Sequence, residues 1–140
     1  MPFPVDIKFV RRAEAALGIA FPASFIKKML KENGGELFVP DVDDYFQLFS
    51  FFDDSDKKRL ARTCSDIVKE TAKAREWRGF PAGAVAIGTD AGGNLLVLLP
   101  DPQNPQRLGE PIFDWFHETA DLTKLTDSLA QLAEQGDEDE

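Results

Sequence analysis

His117 is the single histidine of the chain; Glu118 follows it and Asp114 stands three residues before. An imidazole beside a carboxylate is the side-chain pair best suited to moving protons near neutral pH. Catalysis would also need a nucleophile or a convergent set of polar groups, and no such residue is indicated at this spacing. The expectation is a lone, solvent-exposed histidine. Cys64, the one cysteine, recurs at helical spacing with Leu60 and Val68, which predicts a small apolar side chain in the core. One histidine and one cysteine leave too few ligands for zinc. The cluster Asp41, Asp43 and Asp44 invites a calcium loop. A loop starting at Asp41 needs glycine where Phe46 stands and a bidentate glutamate where Phe52 stands. A start at Asp53 fails in the same way. Gly92-Gly93 lacks the following Lys and Ser/Thr of a phosphate loop. No catalytic, metal-binding or cofactor-binding residue is assigned, and no cofactor is expected.

Charge says more. The net charge is −9, but residues 1–78 balance at +1 while residues 79–140 carry only Arg107 and Lys124 against 12 acids. That second half repels phosphate backbones, so nucleic acid is not an expected partner. It would attract and steer a basic protein surface, although acidity also serves solubility alone. The run from Glu36 to Asp56 holds seven acids and no Lys or Arg, interleaved with Tyr45, Phe46, Phe49, Phe51 and Phe52. Aromatics beside uncompensated carboxylates have the makeup of an interface with an aromatic centre and a charged rim. A core strand between acidic loops is the competing reading.

The elements that must carry these residues follow from periodicity and punctuation. At 140 residues one core is expected, burying roughly two-thirds of the unfolded surface without disulfide or metal. Asp6 can cap a first helix, with Val5 and Val10 as a hydrophobic staple and Gly18 as its left-handed stop. Pro22 suits the first turn of a second helix, whose inner face is Phe25, Ile26, Met29 and Leu30, and Asn33-Gly34-Gly35 ends it. Strands are expected at 37–39 and 45–49. A long third helix, capped by Asp53, Asp54 or Ser55, should reach about Arg75. Leu60, Cys64, Ile67, Val68 and Thr71 would share its apolar side, with Lys58, Arg62, Lys69 and Lys73 opposite on a solvated face. Residues 84–88 and 94–99 read as a hairpin, with Leu95 to Leu99 central and covered on both faces. A late strand at 112–116 and a closing helix through Leu122, Leu125, Leu129 and Leu132 complete the chain. Runs of strands with helices at both ends make an α+β domain, with a mostly antiparallel sheet of about five strands packed with N-terminal, central and C-terminal helices. Asp6 and Lys8 interrupt any apolar leader, and five apolar residues at Leu95 to Leu99 cannot span a bilayer, which takes about 20. A cytoplasmic protein with no membrane partner is expected.

Glu14, Leu17-Gly18, Phe21-Pro22, Phe25 and Asn33-Gly34-Gly35-Glu36, taken in order, resemble the opening signature of the SUKH superfamily. That group includes the yeast Smi/Knr-like cell-wall assembly regulators and many bacterial immunity proteins. Ala86-Ile87-Gly88-Thr89-Asp90 with Gly92-Gly93-Asn94 is similar to its glycine-bearing hairpin, and Ile112 to Glu118 to its late strand and the acidic loop after it. The resemblance spans residues 6–134, with no landmark between 40 and 80. It implies a single SUKH-like domain over 1–134; the acidic run at 135–140 has nothing to bury and is expected to fray. It also implies a non-catalytic, protein-binding role, commonly the neutralising of a co-encoded toxin. Glu14 becomes a structural acid, bonded to backbone N–H groups near Phe21 or Gly34.

The functional expectation is therefore an immunity protein that binds a basic toxin domain acting in the cytoplasm. The alternative is a regulatory scaffold of the yeast type, and an enzyme is the remote third. The carboxylates placed at the interface are Asp41, Asp43, Asp44, Asp53, Asp54, Glu110, Asp114 and Glu118. One prediction concerns the backbone. Gly34 or Gly35 should close helix two with positive φ, so an alanine there should cost about 1 kcal/mol or more in a denaturant melt.

Overall fold

Asp6 starts the first helix by accepting the Lys8 N–H at 2.9 Å. Helix α1 (Ile7–Leu17) buries Phe9, Val10 and Ala13, with Val5 tucked against the same core. Gly18, at φ 74°, ends it and returns its N–H to the Glu14 carbonyl at 2.8 Å. Helix α2 (Ala23–Lys31) has Pro22 at its cap position and buries Phe25 and Met29, with Ile26 and Leu30 at the margin. Gly34 and Gly35 follow at φ 106° and 89°, a region where only glycine is unstrained. They turn the chain straight from α2 into the sheet.

The computed structural model of the chain describes residues 3–40 and 44–129, and of Asp44 only the backbone. Asp41, Asp43, Leu132 and the 135–140 tail lie outside those residues. Six strands form one antiparallel sheet in chain order: β1 (Gly35–Val39), β2 (Asp44–Leu48), β3 (Val85–Thr89), β4 (Leu95–Asp101), β5 (Asn104–Phe116) and β6 (Asp121–Thr126). Two short helices, α3 (Lys57–Arg62) and α4 (Ile67–Ala74), lie between β2 and β3 in the chain. The architecture is α+β, as the pattern of elements implies.

The inner face of the sheet carries Phe46, Leu96, Leu98 and Ile112, all at most 1% exposed, against α1, α2 and α4. Phe51 joins the layers: its ring lies edge-on to Phe21 at 5.1 Å and to Phe25 at 6.0 Å. Burying each such ring is worth about 1.5–3 kcal/mol. On the outer face, the strand registers align one row across all six strands: Glu36, Gln47, Thr89, Leu95, Trp115 and Leu122. The β3–β4 turn is tied by Asp90, whose Oδ1 accepts the Gly92 and Asn94 N–H groups at 2.9 and 3.0 Å. As its unbroken apolar run implies, β4 is an interior strand, with Leu96, Val97 and Leu98 buried.

Three expectations are corrected. The third helix is not continuous. It breaks at 63–66, where Thr63 bonds back to the Arg59 carbonyl at 2.9 Å and Asp66 starts α4 by accepting the Lys69 N–H. Four short polar or weakly helical residues in a row let side-chain capping outcompete a helical turn. The break rotates Cys64 out of the core, leaving it exposed, and Leu60 is 44% exposed. The basic stripe of Lys58, Arg62, Lys69 and Lys73 is thereby divided between α3 and α4. Second, Leu122 and Leu125 belong to strand β6, not to a closing helix. Strand β5 presents an open edge, and pairing with it satisfies a backbone that includes Thr123 and Thr126, both favourable in strands. The two leucines then point to opposite faces: Leu125 is buried and Leu122 is 39% exposed. Third, His117 is not free in solvent. It is half-buried, with its Nδ1 3.0 Å from Asn94 Oδ1 and its ring 5.1 Å from Trp77.

Where β2 leaves β3, a side chain closes the gap. The β2–β3 ladder comprises Gln47 with Thr89 and Leu48 with Gly88. The Ser50 backbone then turns to Ser65 and Ile67 at the start of α4. The buried Ala86 N–H left behind donates to Thr71 Oγ1 at 3.0 Å. Thr71→Val keeps the shape and removes that acceptor, so the variant should lose about 1–3 kcal/mol in urea unfolding.

Candidate protein-binding surface

The acidic aromatic stretch sorts itself by strand alternation. On β1 and β2, Leu37 pairs with Phe46 towards the core, so their neighbours Phe38 and Tyr45 pair on the outer face. Their ring centroids lie 4.9 Å apart, and Tyr45 remains 60% exposed. Phe46, Phe49 and Phe51 are buried, whereas Phe52 is 37% exposed. The stretch therefore divides: of these five rings, three build the core and two stay at the surface.

Arg12 organises the surface beside Phe52. Its guanidinium lies 4.8 Å from the Phe9 ring centre and 5.3 Å from that of Phe52, and it donates to the Phe52 carbonyl at 3.2 Å and meets Asp54 at 3.5 Å. One helical turn separates Phe9 from Arg12, which is the spacing that could have drawn attention to the pair. A second arginine cluster stands at α3, where Arg59 and Arg62 lie 4.6 and 4.8 Å from the Phe3 ring centre. This cluster walls a groove of about 680 Å³ floored by Gly34, Gly35, Gln47 and Thr89, with the exposed Cys64 on its rim. Lys28 reinforces the turn beneath, donating to the Glu32 and Gly34 carbonyls. Burial pushes its ammonium below the ordinary lysine value, against a smaller opposing pull from Glu32.

The eight expected carboxylates occupy different environments. Asp41 and Asp43 lie outside the described residues, and Asp44 opens β2 opposite Val39. Asp54 is half-exposed beside Arg12. Asp53 is 2% exposed; it accepts the Ser55 N–H and hydroxyl at 3.0 and 2.6 Å and faces Arg59 at 3.7 Å. Glu110 is half-buried and bonded to the Ser24 hydroxyl of α2. Asp114 lies beside Leu96 on the inner face at 3% exposure. Glu118 has 83% of its side chain exposed. Asp53 thus supports the backbone and Asp114 is buried in the inner face, while Asp54 and Glu118 present charge to solvent. Two strands intervene between β2 and β5, which places these strands about 14 Å apart at the usual strand spacing.

Glu14 takes the structural position expected of it. Its Oε2 accepts the Phe21 N–H at 2.8 Å, and its Oε1 holds Arg11 at 2.6 Å. The carboxylate thus ties the end of α1 to the start of α2, in the segment that carries the opening signature. The model of the SMI1 / KNR4 family (SUKH-1) matches residues 4–135. The chain belongs to that family. No curated protein matches the chain. SUKH-1 proteins are generally non-catalytic and protein-binding, and among the described residues no helix is long and apolar enough to cross a membrane.

Trp77 is the surface residue that the sequence did not single out; it follows α4 and is 43% exposed. The nearby Gly79-Phe80-Pro81, a turn carrying a second aromatic, is the one sequence signal that could have marked it. Asp56 supplies a pH-dependent contact at the arginine cluster. It caps α3, and the Arg59 backbone N–H, then the Arg59 guanidinium, hold its carboxyl below the usual value of 3.8. A lowered folded-state pKa contributes stability that is complete above the unfolded value and lost as pH falls through the folded one. Asp56→Asn should therefore flatten the stability-versus-pH curve below about pH 4, measured by urea melts across the acid range.

Proposed function

We propose that this SUKH-1 protein is an immunity protein, which neutralises a basic toxin domain in the cytoplasm by occupying its surface. Family membership supplies the protein-binding role. The observation that favours a basic partner is the β1–β2 hairpin: Tyr45, 60% exposed and packed at a tilt against Phe38, stands in a stretch with seven acids and no cation of its own. An exposed ring supplies contact area at low entropic cost, and the carboxylates around it steer a cationic surface into place. Nuclease toxins present such surfaces to their nucleic-acid substrates, and an acidic inhibitor competes there by imitating phosphate charge. On this reading Asp41, Asp43 and Asp44 act at the hairpin, Asp54 beside Arg12, and Glu110 and Glu118 at a separate margin. Asp53 holds the backbone, and Asp114 is buried.

The test is to identify the reading frame next to this gene and, where it encodes a toxin domain, to express that domain alone and together with the chain. Growth arrest by the toxin and rescue by the chain are expected. Binding of several unrelated proteins, with no rescue, would replace the reading with a regulatory scaffold. Association kinetics of the complex then test the electrostatics. Asp44→Lys and Asp54→Lys should each slow association about two- to tenfold at low salt and flatten its salt dependence, and Tyr45→Ala should mainly raise the off-rate. Unchanged rates in all three variants would move the interface away from the hairpin.

A further inference from the structure

A guanidinium lies over an aromatic ring at two places on the surface. Arg12 covers Phe9 and Phe52 and pairs with Asp54. Arg59 covers Phe3 and pairs with Asp56 at 2.5 Å, and Arg62 covers the same ring. In each case a guanidinium meets a ring face, and Arg12 and Arg59 answer a carboxylate as well. Cation, ring and carboxylate together bind more strongly than any two of them.

One corner of the outer face has the ring and the carboxylates without the cation. Trp77 lies across the end of β5, 5.8 Å from Trp115 and edge-on to His117 at 5.1 Å. Phe80 completes the stack on Trp115 at 5.2 Å. The turn after β5 abuts this segment so closely that a Cβ on Gly79 would lie 2.6 Å from that of Ala120. That turn delivers Glu118, whose Oε1 is 4.0 Å from His117 Nε2, and the exposed Asp121, while Leu122 stands beside Trp115 on the next strand. Every Lys and Arg of the chain is among the described residues, and none lies over Trp77 or pairs with Glu118 or Asp121. Arg75 and Arg78 flank Trp77 in the chain without reaching either carboxylate. The cations of β5 and β6 are engaged elsewhere, Arg107 with Asp101 at 3.5 Å and Lys124 with Asp127 at 2.8 Å.

We infer that the Trp77–Glu118–Asp121 corner receives an arginine or lysine side chain from a protein partner, with Leu122 meeting an apolar side chain next to it. The cation would lie over the Trp77 indole beside the two carboxylates, as Arg12 lies over Phe52 beside Asp54. This deepens the proposed function and rests on its basic partner. It places a second contact at the far end of the sheet from Tyr45, because the row from Glu36 to Leu122 crosses all six strands.

The probe is the peptide acetyl-Leu-Arg-Leu-amide, with acetyl-Leu-Gln-Leu-amide as its uncharged control, titrated into the full chain. The chain has two tryptophans, so each indole N–H gives its own NMR signal. The arginine peptide should shift the Trp77 indole and His117 ring signals, weakening as salt rises. The glutamine peptide should leave them in place. Glu118→Gln with Asp121→Asn, both exposed changes that leave the core untouched, should weaken the arginine peptide by at least about threefold. Equal shifts from both peptides would overturn the inference, since the contact would then be apolar only. Shifts confined to Tyr45 and its neighbours would overturn it while sparing the hairpin reading. No shift anywhere would remove the preference for basic partners at both sites.

Discussion

The side-chain amide of Asn33 is the interaction on which the rest of the structure depends. It accepts the Phe51 N–H at 2.7 Å and donates to the Phe51 carbonyl at 2.8 Å, in a site only 8% exposed. A buried backbone unit with neither a strand nor a helix to satisfy it is thus paired on both sides by one residue. That pairing fixes where α2 ends, because the amide must face Phe51 while Gly34 and Gly35 turn the chain into β1. It also fixes the Phe51 ring against Phe21 and Phe25, so the two N-terminal helices and the sheet share one core. Hydrophobic burial supplies most of the energy, and the amide selects which arrangement receives it.

The two faces of the sheet have different tasks as a result. The inner face is committed to α1, α2 and α4. Among the described residues, the outer face is covered only in part, by the 77–80 segment on Trp115. Its remaining row passes from Glu36 and Gln47 to Leu122, polar at one end and apolar at the other. An uncovered face with aromatics at both ends is unusual for a chain whose only role is to stay folded, since large exposed patches mark interaction sites. The acids sort accordingly. Those that the fold needs, Glu14 and Asp53, are bonded to backbone N–H groups, while Asp54, Glu118 and Asp121 remain at the surface.

Much of this was legible in the residues. Asp6, Gly18 and the Asn33-Gly34-Gly35 run mark helix ends because caps and left-handed turns are local requirements, met by a few residues acting on their own backbone. The β3–β4 hairpin was legible for the same reason, through Asp90 and Gly93. The ordered set of such positions also carried the resemblance to SUKH proteins, which the match over residues 4–135 bears out. The acidity of the second half and the aromatic content of 36–56 were likewise readable, as composition needs no fold.

What tertiary structure decided was the fate of segments whose local signals were balanced. Leu122 and Leu125 fit a helix or a strand equally well, and the open edge of β5 chose the strand. The 57–74 segment has helical spacing throughout, yet the Ser50 backbone pairs with residues 65–67, and that long-range bond interrupts the helix and exposes Cys64. The candidate carboxylates were separated in the same way. Burial of Asp114 depends on which face of β5 meets the helices, a one-residue choice of register. The contacts of Trp77 with Trp115 and His117 join positions 38 and 40 residues apart in the chain. Local chemistry states what each residue can do, but only long-range pairing brings a ring and a carboxylate to the same corner.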